Sequence, residues 1–260
     1  MSPFDWFHHV LAWTRVKTGK SELGFFDLKN QELSPSEAPR LLAQSKTDLE
    51  RIYYTHEGRI IHKWTHYLPI YDKYLSRYRG QPMKMMEIGV FKGGSLQLWR
   101  NYFGNEAHIV GVDINPDCAK YVSPPNVVKI GSQADAPFLA SVADEMGPLD
   151  IVLDDGSHIA PHQRITFKTL FPRLKPGGIF IIEDTHTAYW PGAYEGGYRR
   201  RGTAIEFAKE LIDDQHSWYH NRDPERRGKA DIGAIHFYDS MIVIEKQRQE
   251  APAAIKIGTP

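Results

Sequence analysis

The chain has 260 residues, 41% apolar and 25% charged, and its 32 basic and 32 acidic side chains balance to zero. This is the composition of an ordinary globular protein, and without a net field there is no reason to expect nucleic acid or a charged membrane surface as partner. The single cysteine, Cys118, excludes an internal disulfide and suits a reducing cytoplasm, and no run approaches the length of a membrane span.

Residues 1–80 read as an N-terminal arm with helices, serving as a lid over the site or as an oligomer contact. The segment Phe4–Val16 is unusually aromatic, and as a helix it would place Trp6, Val10 and Trp13 on one face. Packing of that face on the domain or on a second copy leads us to expect a homo-oligomer. Gly19, Gly24, Pro35 and Pro39 interrupt the stretch after it. From Thr47 to Tyr78 the spacing of Leu49, Ile52, Tyr53, Ile60, Trp64, Tyr67, Tyr71, Tyr74 and Tyr78 predicts helix, with the aromatic stripe as core and Pro69 as a kink or divide.

Residues 81–246 alternate between strand and helix patterns. Strands are expected at Lys84–Gly89, His108–Asp113, Val127–Ile130, from Asp150 and from Gly178 to Ile182. Helices are expected at Ser95–Phe103, Ala136–Met146 and His162–Leu174, the last stopped by Lys175-Pro-Gly-Gly178. A helix at Gly202–Gln215, a hairpin at Ala234–Ile244 and a loose tail at 247–260 complete the chain. The alternation predicts an α/β fold with a doubly wound, mostly parallel sheet.

Two of these strands end in acids: Asp150-Ile-Val-Leu-Asp-Asp-Gly-Ser-His158 and Gly178-Ile-Phe-Ile-Ile-Glu-Asp184. Strand carboxyl ends are where open α/β sheets place ligands. Asp155, Glu183 and Asp184 together form an oxygen-rich site for a hard divalent cation, and His158 is a base beside it. The bland alternative for any one acidic pair is capping of the next helix; two pairs on two strand ends, with a histidine, favour a site.

Glu87-Ile-Gly-Val-Phe-Lys-Gly-Gly-Ser95 forms a glycine-rich turn after the first strand. Phe91 stands where a dinucleotide fingerprint has its middle glycine, and the carboxylate of Glu87 would repel a pyrophosphate. Glu87, Gly89, Gly93, Ser95, Asp113 at the end of the second strand and Gln133 at the end of the third are therefore expected to hold an adenosine-containing ligand without a diphosphate. Asp155 borders the same ligand. S-adenosylmethionine fits better than NAD. The alternative for Asp113 is a turn cap with Asn115 and Pro116.

The motifs E-I-G-V-F-K-G-G-S, G-V-D-I, G-S-Q-A-D, D-D-G-S-H, L-K-P-G-G-I-F-I-I-E-D-T and I-H-F-Y-D-S-M-I-V resemble the metal-dependent sugar O-methyltransferases of antibiotic pathways: the macrocin, mycinamicin, noviose and rhamnosyl enzymes. The resemblance covers roughly residues 50–245. It implies a class I methyltransferase that uses S-adenosylmethionine and Mg²⁺ or Mn²⁺ on a hydroxyl of a sugar-containing acceptor. Asp155, Glu183 and Asp184 would be the metal ligands, His158 the general base, and Asp154 a neighbour of the ligands. It also places Lys63, His66 and Tyr67 near the methionine end of the cofactor, on a helix.

The segment Thr185–Arg201 is too long for a turn and reads as a substrate loop. Tyr189, Trp190, Tyr194 and Tyr198 could stack on sugar faces there, and Arg199, Arg200 and Arg201 either pair with an anion or form a solvated basic run. His186 has no assignable role. Three rival readings remain: a catechol-type methyltransferase on a vicinal diol, a non-catalytic S-adenosylmethionine-binding scaffold, and an iron hydroxylase. The hydroxylase normally needs two histidines and one carboxylate, and the residue count argues against it.

Overall fold

The computed structural model describes residues 35–220, 225 and 227–259. The aromatic start, with Trp6, Val10 and Trp13, lies outside the described residues.

Among the described residues seven strands form one sheet in the order β3-β2-β1-β4-β5-β7-β6. They are β1 (Met83–Ile88), β2 (Ala107–Asp113), β3 (Val127–Ile130), β4 (Leu149–Asp154), β5 (Leu174–Ile182), β6 (Ile232–Tyr238) and β7 (Met241–Lys246). The first five are parallel, and β7 joins β5 antiparallel as one arm of the terminal hairpin. This is the doubly wound, mostly parallel sheet expected from the alternation.

The strands are apolar at successive positions because both faces are covered. Ile151, Leu153, Ile179 and Ile181 face a cluster containing Tyr67, Tyr71, Trp99 and Phe103. Their neighbours Val152, Phe180 and Ile182 face the other side, with Leu139, Phe167, Phe207 and Leu211. The helices are α1 (Ala38–Gln44), α2 (Asp48–Tyr54), α3 (Tyr67–Leu75), α4 (Gly94–Phe103), α5 (Ala136–Met146), α6 (Ala160–Leu170) and α7 (Ala204–Gln215). Residues of α2, α3 and α4 build the aromatic side, and those of α5, α6 and α7 build the other. No helix among the described residues is long and apolar enough to cross a membrane.

Two local expectations are corrected. The helical period from Thr47 to Tyr78 breaks at Thr55–His66, not at Pro69. Pro69 sits in the first turn of α3, where its missing N–H would have had no partner within the helix. The stop signal Lys175-Pro-Gly-Gly178 also does not end a helix. Helix α6 ends at Leu170, and this segment lies within β5, opposite a register shift at Leu149/Ile151. Such an irregularity is where a strand tolerates proline and glycine.

The register fixes the site. Ile88 pairs with Asp154, and Asp154 with Ile182. The next residues therefore emerge side by side: Gly89 from β1, Asp155 from β4 and Glu183 from β5. Backbone bonds continue the ladder one step beyond, from Asp155 N to Ile88 O and from Glu183 N to Asp154 O, both 2.9 Å.

Candidate active site

Gly89 makes this crowding possible. Its φ is +93°, and a Cβ on it would lie 2.0 Å from the carbonyl oxygen of Asp155. No other residue fits so close to a neighbouring backbone. Past the strand ends the chain turns back over the sheet through two left-handed residues, His158 (φ +56°) and Asp184 (φ +51°). Their side chains meet: His158 Nε2 lies 3.5 Å from Asp184 Oδ2 and 3.8 Å from Asp155 Oδ1. One ligand atom from each of Asp155, His158 and Asp184 falls within 4.8 Å of the other two, which is the spacing of groups sharing a metal ion. The two carboxylates offer the hard oxygens that suit Mg²⁺ or Mn²⁺, and the imidazole stands beside them.

Glu183 is adjacent but turned inward. Both of its oxygens accept from the Lys63 ammonium, at 2.7 and 2.9 Å, and Asp155 Oδ2 accepts from the same nitrogen. Glu87 lies 3.9 Å from it. Burial pushes the Glu87 carboxyl up to about 7 against the pull of Lys63, and it raises Glu183 well above the carboxylate range, with Asp155 adding to the shift. Burial opposes the charge on Lys63, yet the three carboxylates outweigh it and hold the ammonium protonated. Lys63 lies on the coil between α2 and α3, not on the helix that the resemblance implied.

The residues expected to hold the adenosine ligand divide into two groups. Glu87 faces the cluster and is held by Ser95 Oγ (2.9 Å) and Trp99 Nε1 (3.2 Å), both donating to it. Asp113 accepts from the backbone N–H groups of Val90 (2.8 Å), Phe91 (3.1 Å) and Asn115 (2.8 Å). It thus pins the glycine turn and also caps its own turn, and these backbone donors outweigh burial to lower its pKa. Gly93 starts α4 at φ +77°. Gln133, by contrast, is turned into the protein. Its amide nitrogen donates to Asp154 Oδ1 (2.6 Å) and Thr166 Oγ1 (3.0 Å), and its carbonyl accepts from Ser157 N and Oγ, both at 3.0 Å. Gln133 therefore braces the D-D-G-S-H turn from beneath, with Asp154, which is fully buried and shifted up to about 6 by burial.

The chain is similar to known proteins in sequence and fold. Residues 86–185 match the family described as "Methyltransferase domain". The 8-demethyl-8-(2-methoxy-alpha-L-rhamnosyl)-tetracenomycin-C 3'-O-methyltransferase of Streptomyces olivaceus is 39% identical over 215 residues, 77% of this chain and 54% of the relative. The mycinamicin VI 2''-O-methyltransferase of Micromonospora griseorubida is 37% identical over 219 residues, 78% of this chain and 53% of the relative. The solved structure of the MycE methyltransferase from the mycinamycin biosynthetic pathway, in complex with Mg and SAH, superposes with a TM-score of 0.66 at 36% identity, covering 78% of this chain and 54% of that one. The chain shares the class I methyltransferase fold of that structure. Its homologues are sugar O-methyltransferases, and it spans about half the length of the curated relatives it matches.

Around this cluster stand contacts that the sequence pattern does not announce. The Tyr67 hydroxyl donates to Asp184 Oδ1 (2.7 Å) and lies 2.8 Å from Ser240 Oγ. His186 Nδ1 is 2.5 Å from that same Ser240 hydroxyl. Ser240 sits at the tip of the β6–β7 hairpin with φ +61°, so the hairpin that closes the sheet edge also steadies Asp184. Its motif is legible in the sequence; its contact with the site is not, because 173 residues separate Ser240 from Tyr67.

The expected substrate loop is built from two short 3₁₀ turns, Thr185–Tyr189 and Gly192–Tyr194. Its aromatic residues form two groups. Trp190 lies edge-on to His186 (4.6 Å between ring centres) and to Tyr194 (5.6 Å), and His186 in turn meets Trp64. Tyr189 and Tyr198 stack at 6.4 Å and are exposed. Of the arginines, Arg199 lies over the Tyr198 ring, Arg200 donates to Gly196 O, and Arg201 points to Glu210.

Proposed function

We propose that this chain is an S-adenosylmethionine-dependent, divalent-metal-dependent O-methyltransferase acting on a sugar hydroxyl of a glycosylated natural product. The observation that carries this reading is the convergence of Asp155, His158 and Asp184 on one point, beside a glycine turn that ends in no pyrophosphate-binding pattern. The relatives support it: they act on rhamnosyl-tetracenomycin and mycinamicin, and MycE was solved with Mg and SAH.

In this reading Glu87, Gly89, Gly93, Ser95, Asp113 and Asp155 frame the methyl donor, with Gln133 as the brace beneath. Asp155 and Asp184 hold the metal together with Glu183, the next group in the row. The ion, when bound, supplies a Lewis acid that lowers the pKa of a sugar hydroxyl. His158 accepts the hydroxyl proton at Nε2, the nitrogen that faces the two carboxylates. Tyr67 and Ser240 keep Asp184 at its angle, and the aromatic loop excludes water and offers ring faces to the sugar. We place the protein in the cytoplasm as a homo-oligomer, in line with its lone cysteine and aromatic start.

The test is methyl transfer from S-adenosylmethionine to a panel of vicinal-diol glycosides. Activity is expected to stop with EDTA and return with Mg²⁺. Undiminished activity in EDTA would remove the metal, and donor binding without turnover on any acceptor would leave a scaffold.

A further inference from the structure

The coil from Thr55 to His66 is anchored as a strap across the glycine turn. The carbonyl oxygen of Ile60 lies so near Gly94 that a Cβ there would be 2.1 Å away. Arg59 N donates to Gln97 Oε1 at 2.8 Å, and its guanidinium covers the Tyr121 ring at 5.1 Å. Three residues beyond Ile60, Lys63 reaches inward, and its side chain is 2% exposed. The ammonium donates to both oxygens of Glu183 and to Oδ2 of Asp155, with Glu87 at the edge of its reach. Asp155 is thereby divided: Oδ2 faces Lys63 and Oδ1 faces His158.

The ion pairs of Lys63 engage the proposed metal ligands themselves. The ammonium takes up both oxygens of one proposed metal ligand and one oxygen of another. A divalent ion drawing on the same carboxylates would sit within a few ångströms of a fixed positive charge in a poorly solvated site, where like charges repel strongly. Without either cation, Glu87, Asp155 and Glu183 would repel one another instead.

We propose that Lys63 is the built-in counter-ion of the acidic nest, and that a divalent cation binds by exchange, taking Glu183 and Asp155 as the ammonium gives them up. The inference rests on the metal reading above. It makes Lys63 a positioning residue that keeps the ligand carboxylates gathered before the ion arrives, and it couples metal binding to the strap over the donor cleft.

The exchange predicts effects of opposite sign for one substitution. In Lys63→Met the dissociation constant for Mn²⁺, followed by the electron paramagnetic resonance of the free ion, falls at least about tenfold because the competing charge is gone. The midpoint of thermal unfolding in EDTA falls in the same variant, because the carboxylates lose their counter-ion. Lys63→Arg keeps the charge and behaves as the native protein does in both. A residue that served packing alone would weaken both properties in Lys63→Met, so Mn²⁺ binding that is unchanged or weaker overturns the exchange.

A second measurement uses the native protein and does not depend on the variant folding. Acetylation of Lys63 by acetic anhydride, read by peptide mass spectrometry, is expected to be slow in EDTA and to quicken on saturation with Mn²⁺; an unchanged rate overturns the proposal. If neither native protein nor variant binds Mn²⁺, the metal reading falls and the exchange falls with it. Native binding that Lys63→Met leaves unaltered sinks the exchange alone.

Discussion

His158→Asn separates the chemistry from the scaffold. The imidazole faces Asp155 and Asp184 at 3.8 and 3.5 Å, and its other nitrogen, Nδ1, is buried without a hydrogen-bond partner among the described residues. Few folding contacts are therefore lost with the ring. The backbone at +56° is left-handed, a region asparagine tolerates better than histidine or alanine, so the variant is expected to unfold at nearly the native temperature. Removing a general base costs about 10²–10⁴ in rate, or about 3–5 kcal/mol of barrier at 1.36 kcal/mol per factor of ten. The assay is kcat for methyl transfer to the best glycoside, with affinity for S-adenosylhomocysteine measured by calorimetry on the same samples. We expect kcat to fall by that factor while donor affinity holds. Turnover within about threefold of native would refute the assignment of the base; a matching loss of donor affinity would move His158 from proton transfer to the shape of the cleft.

Three further outcomes are expected. Gly89→Ala sets a Cβ 2.0 Å from the Asp155 carbonyl at a φ of +93°; it should cost about 2–4 kcal/mol in urea unfolding and weaken donor binding, since the clash pushes β1 and β4 apart at the site. Cys118 is buried, and its thiol is pushed up to about 12 by burial and then by Asp113; iodoacetamide at pH 8 should leave it unmodified until the protein is unfolded. Asp113 has a folded pKa below its ordinary 3.8, so its contribution to stability is complete above that value and lost as pH falls beneath it. The stability difference between native protein and Asp113→Asn should therefore shrink in urea titrations below pH 3.8, and a gap that widens there would contradict the backbone contacts.

The sheet was legible because its central parallel strands carry apolar runs that fill both faces, and the acids that close two of those runs mark their ends. Asp154 and Ile182 mark where β4 and β5 stop, one residue before Asp155 and Glu183. Side-chain direction was not legible. Gln133 stands at the predicted strand end yet points beneath the sheet to Asp154 and Thr166, because a turn of a few residues can send its side chains either way. The motifs imply a helix for Lys63, and it stands on a coil. The helical spacing of Ile60, Trp64 and Tyr67 continues through a segment whose backbone is held by Gln97 and Gly94, and tertiary contact overrides local period there. Pro69 misleads for a related reason: a proline ends a helix only where its N–H was needed.

The two left-handed residues explain how strand ends become a site. A chain leaving β4 or β5 in extended form would carry Asp155 and Asp184 away from the sheet and from each other. Placing His158 and Asp184 at positive φ turns both segments back over the strand ends, at a cost of about 1–2 kcal/mol for each non-glycine residue. The strain persists only if the surroundings enforce it, and Thr187 is in place to do so. Its N–H donates to the Asp184 carbonyl at 3.0 Å, and its hydroxyl lies 2.7 Å from that oxygen and 3.3 Å from the carbonyl of His158. One buried threonine thus ties the two turns together from behind, while Tyr67 holds the Asp184 carboxylate from the front. The acids and the histidine converge because their backbones are bent toward each other and locked there by the chain's own contacts.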